Sequence, residues 1–165
     1  METPENVIHP ETRLGHVHLK VANLERAVTF YRDAFGFEEQ QRMGRHAAFL
    51  SAGGYHHHIG LNTWESVGGS PPPPGATGLY HLAILYPDRR ELARALKRLI
   101  DHGVSIDGYS DHGVSEAIYL RDPDGNGIEI YWDRDTADWP REPDGTLRMM
   151  SDPFDLQDLL AELDR

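Results

Sequence analysis

The sequence contains no cysteine. A chain without thiols forms no disulfide, holds no metal through thiolate and has no cysteine nucleophile. Any metal ion must therefore be bound by imidazole and carboxylate groups, and ten histidines are available for this.

Basic residues are also few, with 16 lysines and arginines against 27 acidic residues and a formal net charge of -11. Nucleic acids and anionic membrane surfaces require a basic face, so neither is expected as a partner. No apolar run approaches the length of a membrane span, and the polar N-terminus lacks the apolar core of a secretion signal. We therefore expect a cytoplasmic protein.

Two copies of one pattern follow each other along the chain. The first copy predicts a strand over 14–22, a helix that Asn23 caps and Gly36 ends, and strands over 37–42, 45–52 and 55–62. The proline-rich stretch GGSPPPPG then separates the copies, since proline cannot continue a helix or a central strand. The second copy predicts a strand over 79–85, a helix between Asp88 and Gly103, and strands over 104–109, 115–121 and 127–132.

Four pairs of residues match between the copies at one constant offset: Leu14 with Leu79, His16 with His81, Leu19 with Ile84, and Asn23 with Asp88. Such a match indicates an internal repeat. We predict an α+β domain over 13–135 whose two βαβββ repeats, about 14–62 and 79–132, pair into an open eight-stranded barrel around a metal site. Residues 136–165 are predicted to form a C-terminal tail with a short helix that Asp155 caps.

The repeat places two histidines at equivalent points, because His16 and His81 each lie on the first strand of their unit. Two imidazoles that converge on one cavity are a poor way to fill a core, so they are predicted to bind a metal. Glu129 lies in the last strand, where alternation turns its carboxylate away from the flanking isoleucines. Two histidines and one carboxylate form the facial triad typical of non-haem iron(II) enzymes.

A run of three histidines, His56 to His58, precedes the end of the first repeat. If this segment is a strand, His56 and His58 face one side and His57 the other. His58 would then share the cavity face with Gly60, which would leave space for a substrate. We predict that His58 is an acid–base group, and the other two histidines remain open to a surface role.

The segments GHVHLKVANLERAVTFYRDAFGF, YHLAI and DPDGNGIEIY resemble the vicinal oxygen chelate superfamily of glyoxalase, bleomycin resistance and extradiol dioxygenase proteins. The stretch from His112 to Glu129 closely follows the signature of extradiol ring-cleaving enzymes. Ser110 departs from it, because the family usually has glycine, asparagine, threonine or an aliphatic residue there. The phrases HHHIGLNTW and SEAIYLRDPDGNGIEIYWDR are similar to catechol 2,3-dioxygenase-like proteins in particular.

The resemblance implies that His16, His81 and Glu129 bind iron(II), with manganese, nickel or zinc as alternatives. It also implies that His58 is the acid–base residue, that His112 contacts a hydroxyl of the substrate, and that Tyr119 contacts the substrate or supports the site. The implied reaction is extradiol cleavage of a catechol-type aromatic compound by dioxygen. The two units share one barrel or exchange between chains, and we expect a homodimer.

Two other functions stay open at this point. A glyoxalase-I-type lyase or isomerase would require a second carboxylate ligand on the fourth strand, where the sequence offers only His58 or Gly60. A non-enzymatic protein that sequesters a drug would use the same cavity, but that class usually lacks the metal triad.

Overall fold

Two four-stranded sheets form the framework of the protein, in a computed structural model that describes residues 7–165. Residues 1–6, at the start of the segment for which no secretion signal is predicted, lie outside the described residues. The first sheet has the order β1-β4-β3-β2 and contains β1 (Val17–Lys20), β2 (Glu38–Met43), β3 (Ala47–Ser51) and β4 (Ile59–Asn62). The second has the order β5-β8-β7-β6 and contains β5 (Leu82–Tyr86), β6 (Ile106–Asp111), β7 (Ser115–Arg121) and β8 (Gly127–Asp133).

Each sheet joins its first and last strands in parallel and its other strands in antiparallel pairs. The same topology therefore occurs twice, which confirms the predicted pair of βαβββ units. Within residues 7–165 no strand pairing joins one sheet to the other, so backbone hydrogen bonds do not close a barrel.

One long helical segment crosses each sheet. Helix α1 (Leu24–Thr29) continues as a π-helical turn (Phe30–Ala34), and α2 spans Arg89–Asp101. The predicted caps are confirmed, since the side chain of Asn23 accepts from the Arg26 N–H and that of Asp88 accepts from the Glu91 N–H. No helix among residues 7–165 is long and apolar enough to cross a lipid bilayer.

The hydrophobic core lies between these helices and one face of each sheet. In the first unit, Leu19, Ile59 and Leu61 of the sheet are buried together with Val28 and Tyr31 of the helical segment. Full burial of such an aliphatic side chain contributes about 1.5–3 kcal/mol. Because strand residues alternate, the face opposite the core carries His18, Lys20 and their neighbours. The polar candidates for function lie on these opposite faces.

The two units touch through the turn between β7 and β8. The Ala22 N–H and the Arg26 guanidinium both donate to Asp124 Oδ1, at 2.9 Å and 2.7 Å. At a second point of contact between the units, the Arg98 guanidinium of α2 donates to the Phe35 carbonyl at 2.8 Å. These bonds join the first unit to the second through the helical segment of the first unit and the residues next to it. They do not involve the edge strands of its sheet.

The chain ends in a segment that returns to the second unit. A short helix, α3 (Leu156–Leu160), packs on α2 and buries Leu159 completely. The predicted cap is confirmed, because Asp155 accepts from the Gln157 N–H at 2.8 Å. Arg89, at the start of α2, makes ion pairs with Asp158 and Glu162 of the terminal segment.

Candidate metal centre

Two of the three predicted ligands face each other in the second unit. His81 lies just before β5 and Glu129 lies in β8, and the parallel pairing of these strands places Ala83 opposite Glu129. His81 therefore shares a face with Glu129 one step along the sheet. His81 Nε2 lies 2.8 Å from Glu129 Oε2, and the two side chains are 30% and 14% exposed.

The spacing of these two atoms fits a shared metal ion. Imidazole nitrogen and carboxylate oxygen bind such ions at about 2.0–2.2 Å. Two ligands at adjacent octahedral positions are then about 3 Å apart, which is close to the observed separation. Glu129 uses its other oxygen, Oε1, to accept from the Tyr119 hydroxyl at 3.3 Å, so Oε2 is the oxygen that faces His81.

A chain of hydrogen bonds extends from Glu129 to His112. The Tyr119 hydroxyl lies 2.6 Å from His112 Nε2 as well as 3.3 Å from Glu129 Oε1. Tyr119 pairs directly with Glu129 across β7 and β8, which explains why both side chains meet on one face. Burial, and then the charge of Glu129, raise the pKa of Tyr119 to about 12. The phenol is therefore protonated and acts as a donor at neutral pH.

The third predicted ligand lies in the other unit. His16 directly precedes β1, and its side chain is exposed. Among residues 7–165, no group of three histidine and acidic side chains is close enough to hold one metal ion. The predicted ligands His81 and Glu129 thus lie together and His16 lies apart from them, so a single copy does not bring the predicted triad together.

The ring beside His16 is that of His57. The sequence predicted instead that His57 faces away from the cavity and His58 toward it. The His16 and His57 rings lie 4.3 Å apart, and His57 also contacts Phe49 edge-on at 5.1 Å. The predicted alternation does not apply, because β4 begins only at Ile59 and the preceding glycine turn leaves His57 outside any strand. Loss of solvent and the nearby imidazoles of His16 and His56 lower the pKa of His57.

His58, the predicted acid–base residue, has other neighbours. Its ring stacks on Tyr55 at 4.7 Å and lies 6.5 Å from Phe37. Its Nδ1 atom accepts from the Ala52 N–H at 3.3 Å. The histidine of this run that lies beside His16 is therefore His57, which the sequence left open to a surface role. The glycines at 53 and 54 both adopt a positive φ, which interrupts the predicted strand before His57.

Gly60 also has a different role from the one expected. A Cβ atom at this position would lie 2.9 Å from Cγ of the His18 ring. The space that we expected a substrate to use is filled by the His18 imidazole, which also packs on Phe49 and Trp64.

A cavity of about 240 Å³ opens beside the His81 and Tyr119 side chains. Gly108 widens it, since a Cβ atom there would meet nothing within 4 Å, and Arg121 lies at its wall. The cavity therefore offers room for a small molecule directly beside His81, one of the predicted ligands.

Comparison with known proteins agrees with this architecture. Residues 13–130 match the model of the glyoxalase/bleomycin resistance protein/dioxygenase superfamily. The chain belongs to this superfamily, which confirms the resemblance seen in the sequence.

Among individual proteins, the chain is 44% identical to a catechol-2,3-dioxygenase of Bacillus subtilis over 94% of this chain and 53% of that protein. It is 32% identical to biphenyl-2,3-diol 1,2-dioxygenase 3 of Rhodococcus globerulus over 73% of this chain and 63% of that protein. A manganese-dependent 2,3-dihydroxybiphenyl 1,2-dioxygenase of Geobacillus genomosp. 3 is 30% identical over 81% of this chain and 39% of its own length. The chain thus spans about half the length of these curated relatives.

Solved structures share the fold. A glyoxalase/dioxygenase from Nostoc punctiforme superposes with a TM-score of 0.63 at 22% identity, over 81% of this chain and 100% of that one. A lactoylglutathione lyase from Agrobacterium tumefaciens superposes with a TM-score of 0.58 at 25% identity, over 75% of this chain and 96% of that one.

Proposed function

We propose that this chain is a metal-dependent extradiol dioxygenase that opens the ring of a catechol-type aromatic compound with dioxygen. The observation that carries the proposal is the 2.8 Å approach of His81 Nε2 to Glu129 Oε2, with Tyr119 and His112 aligned behind the carboxylate. The names of the relatives, a catechol-2,3-dioxygenase and two ring-cleaving diol dioxygenases, support the same reaction.

The ligands of the metal in this proposal are His16, His81 and Glu129. Iron(II) is the proposed metal, because two imidazoles and one carboxylate with open positions suit it. Manganese is the alternative that a relative supports, since one is named as manganese-dependent. When bound, such an ion would hold the diol and dioxygen next to each other and stabilise the negative charge on the oxygens.

The side chains around the ion have separate tasks. Tyr119, which stays protonated, donates within the site and fixes the orientation of Glu129. His112 lies at the end of this chain of hydrogen bonds, where its Nε2 atom faces the Tyr119 hydroxyl, so it can exchange a proton with a substrate hydroxyl by way of Tyr119. His57 lies beside His16 and is the second candidate for proton transfer, together with the sequence-based candidate His58.

We further propose that a second copy of the chain completes the site. The segments that precede β1 and β5 expose large apolar side chains, with Leu14 103%, Tyr80 87% and Leu79 60% exposed. These residues flank His16 and His81, so a twofold partner that covers them would bring the first unit of one chain to the second unit of the other. This arrangement supplies the missing histidine and buries the exposed apolar surface in one step.

A lyase of the glyoxalase type is less well supported. Strand β4 carries Ile59, Gly60, Leu61 and Asn62 and therefore contributes no carboxylate as a fourth ligand. Consumption of a glutathione hemithioacetal by the nickel or zinc form, without oxygen uptake, would favour the lyase.

Anaerobic reconstitution with iron(II) followed by oxygen uptake with a panel of catechols tests the reaction. We expect one mole of dioxygen per mole of substrate and a yellow ring-opened product. The matched control is Glu129→Gln, which removes one ligand charge at nearly unchanged volume and should abolish both signals. Iron bound at full occupancy, with no oxygen uptake from any catechol in the panel, would contradict the proposal.

A further inference from the structure

The C-terminal segment adds a short edge to the second sheet where β6 ends. Asp111 and Asp152 form an antiparallel bridge in which each N–H donates to the other carbonyl, at 2.7 Å and 2.9 Å. The hydroxyls of Ser110 and Ser151 meet at 2.9 Å beside this bridge. The segment lies beyond residues 13–130, the part of the chain that matches the superfamily model.

The same segment holds both the backbone and the ring of His112. The Met150 N–H donates to the His112 carbonyl at 3.0 Å. The His112 Nδ1 atom lies 2.7 Å from the Met150 carbonyl oxygen, and this oxygen can only accept. His112 therefore carries its proton on Nδ1.

A neutral imidazole has only one N–H, so a proton on Nδ1 leaves Nε2 as an acceptor. This acceptor faces the Tyr119 hydroxyl at 2.6 Å, which is shorter than the 3.3 Å from the same hydroxyl to Glu129. The single hydroxyl proton of Tyr119 is thus shared between two acceptors, His112 Nε2 and Glu129 Oε1. The Met150 carbonyl selects this arrangement although three side chains, those of His112, Tyr119 and Glu129, separate it from the proposed metal.

Remote contacts keep the segment in place. Leu159 is completely buried against α2, and Arg89 binds Asp158 and Glu162 while its Nε atom donates to the buried Glu116 at 2.8 Å. A bridge of two hydrogen bonds would be weak alone, but α3 anchors the chain only a few residues further on.

We propose that residues 150–152 are a positioning element that fixes the Nδ1–H tautomer and the orientation of His112. The Met150 carbonyl acts through His112 and does not itself touch the substrate. The consequence for activity rests on the proposed dioxygenase function, whereas the tautomer of His112 can be measured independently of any reaction.

The test compares Asp152→Pro with Asp152→Ala in the full chain. Both variants lose the same carboxylate, but only proline removes the N–H that donates to the Asp111 carbonyl. We expect Asp152→Pro to release Met150 from His112 and Asp152→Ala to leave the contact intact.

The first readout is the nitrogen-15 spectrum of histidine in the zinc-loaded protein, with the His112 signals assigned by their loss in His112→Gln. Wild type and Asp152→Ala should show the Nδ1–H tautomer, and Asp152→Pro should show a mixture of tautomers. A wild-type His112 in the Nε2–H form would overturn the proposal even if the proline variant failed to fold, as would an unchanged tautomer in folded Asp152→Pro.

The second readout is steady-state turnover of the iron form. Loss of a hydrogen-bond partner behind a metal site typically lowers activity by about 10- to 100-fold. We therefore expect kcat of Asp152→Pro to fall by about tenfold or more, with KM and iron content little changed. A fall in kcat/KM that is explained entirely by loss of bound iron would contradict the positioning role. If the wild type turns over no catechol, the proposed function fails, and the spectra still decide the role of the segment.

Discussion

The Tyr31 hydroxyl donates a hydrogen bond to Asp122 Oδ2 at 3.0 Å, and both residues are buried. Tyr31 belongs to the helical segment of the first unit and Asp122 to the turn between β7 and β8 of the second unit. The carboxylate also accepts from the backbone N–H groups of Asp124 and Asn126, so it shapes the turn that precedes Glu129. One buried tyrosine thus connects the packing of the two units to the strand that carries a predicted ligand.

Replacing Tyr31 with phenylalanine should therefore destabilise the protein by about 1 kcal/mol, since a buried acceptor loses one of its donors. The loss stays moderate because the Asn126 side chain still donates to the same oxygen at 2.8 Å. Urea unfolding measures the change. Tyr109→Phe is the control, because its ring is 44% exposed, and it should alter stability by less than about 0.5 kcal/mol. Equal effects of the two variants would contradict this role of Tyr31.

The same tyrosine predicts a loss of stability at alkaline pH. Burial, followed by the charge of Asp122, raises the pKa of Tyr31 well above its ordinary value. The unfolded chain releases this proton near pH 10, whereas the folded chain holds it to higher pH. The contribution of Tyr31 to the free energy of unfolding is therefore fully present below about pH 10. It declines as the pH rises toward the pKa of Tyr31 in the folded state.

Measuring the free energy of unfolding between about pH 9 and pH 11 tests this dependence. Subtracting the curve of Tyr31→Phe removes the contributions of the other tyrosines. The difference between wild type and variant should shrink as the pH rises, and a constant difference would show that Tyr31 ionises equally in both states.

The acid–base role can be assigned by comparing His57→Gln with His58→Gln. The His57 ring lies beside His16, whereas the His58 ring stacks on Tyr55, so we expect the larger effect from His57→Gln. General acid–base catalysis contributes about 100-fold or more to turnover. Iron content and kcat are measured together. If a variant keeps its iron and its full kcat, the histidine replaced in it is not the acid–base group. Loss of turnover in His58→Gln alone would restore the sequence-based assignment.

Tyr119→Phe should weaken metal binding without removing a ligand. Its hydroxyl contacts Glu129 Oε1, and loss of such an outer partner typically costs about 10- to 100-fold in metal affinity. Competition with a chromophoric chelator measures the dissociation constant. Tyr131→Phe is the matched control, because Tyr131 lies two residues from Glu129 on the same strand. Equal metal affinity of the two variants would rule out support by the Tyr119 hydroxyl.

A mixing experiment tests whether two copies share each site. His16→Ala and Glu129→Ala should each be inactive, because each lacks one ligand. In a twofold dimer with shared sites, a mixed dimer contains one intact site and one doubly altered site. Refolding an equal mixture should therefore restore about one quarter of wild-type activity. No recovery in a mixture shown to contain mixed dimers would mean that each chain builds its own site.

The sequence alone determined the local and repeated features of this protein. The constant offset between the halves predicted two βαβββ units, and Asn23, Asp88 and Asp155 correctly marked three helix starts. These features follow from hydrogen bonds and side-chain alternation over a few residues, so they can be read without knowing the fold. The same alternation turned the Glu129 carboxylate away from the flanking isoleucines.

Only the tertiary structure decided how these parts meet. The turn before β4 turned His57 rather than His58 toward His16, and the close approach of His18 filled the space at Gly60. The packing of the units separated His16 from His81 and Glu129. The returning C-terminal segment brought Met150 to His112, 38 residues away in sequence. Contacts of this kind depend on loop geometry and on packing between distant elements, which no short pattern in the sequence encodes.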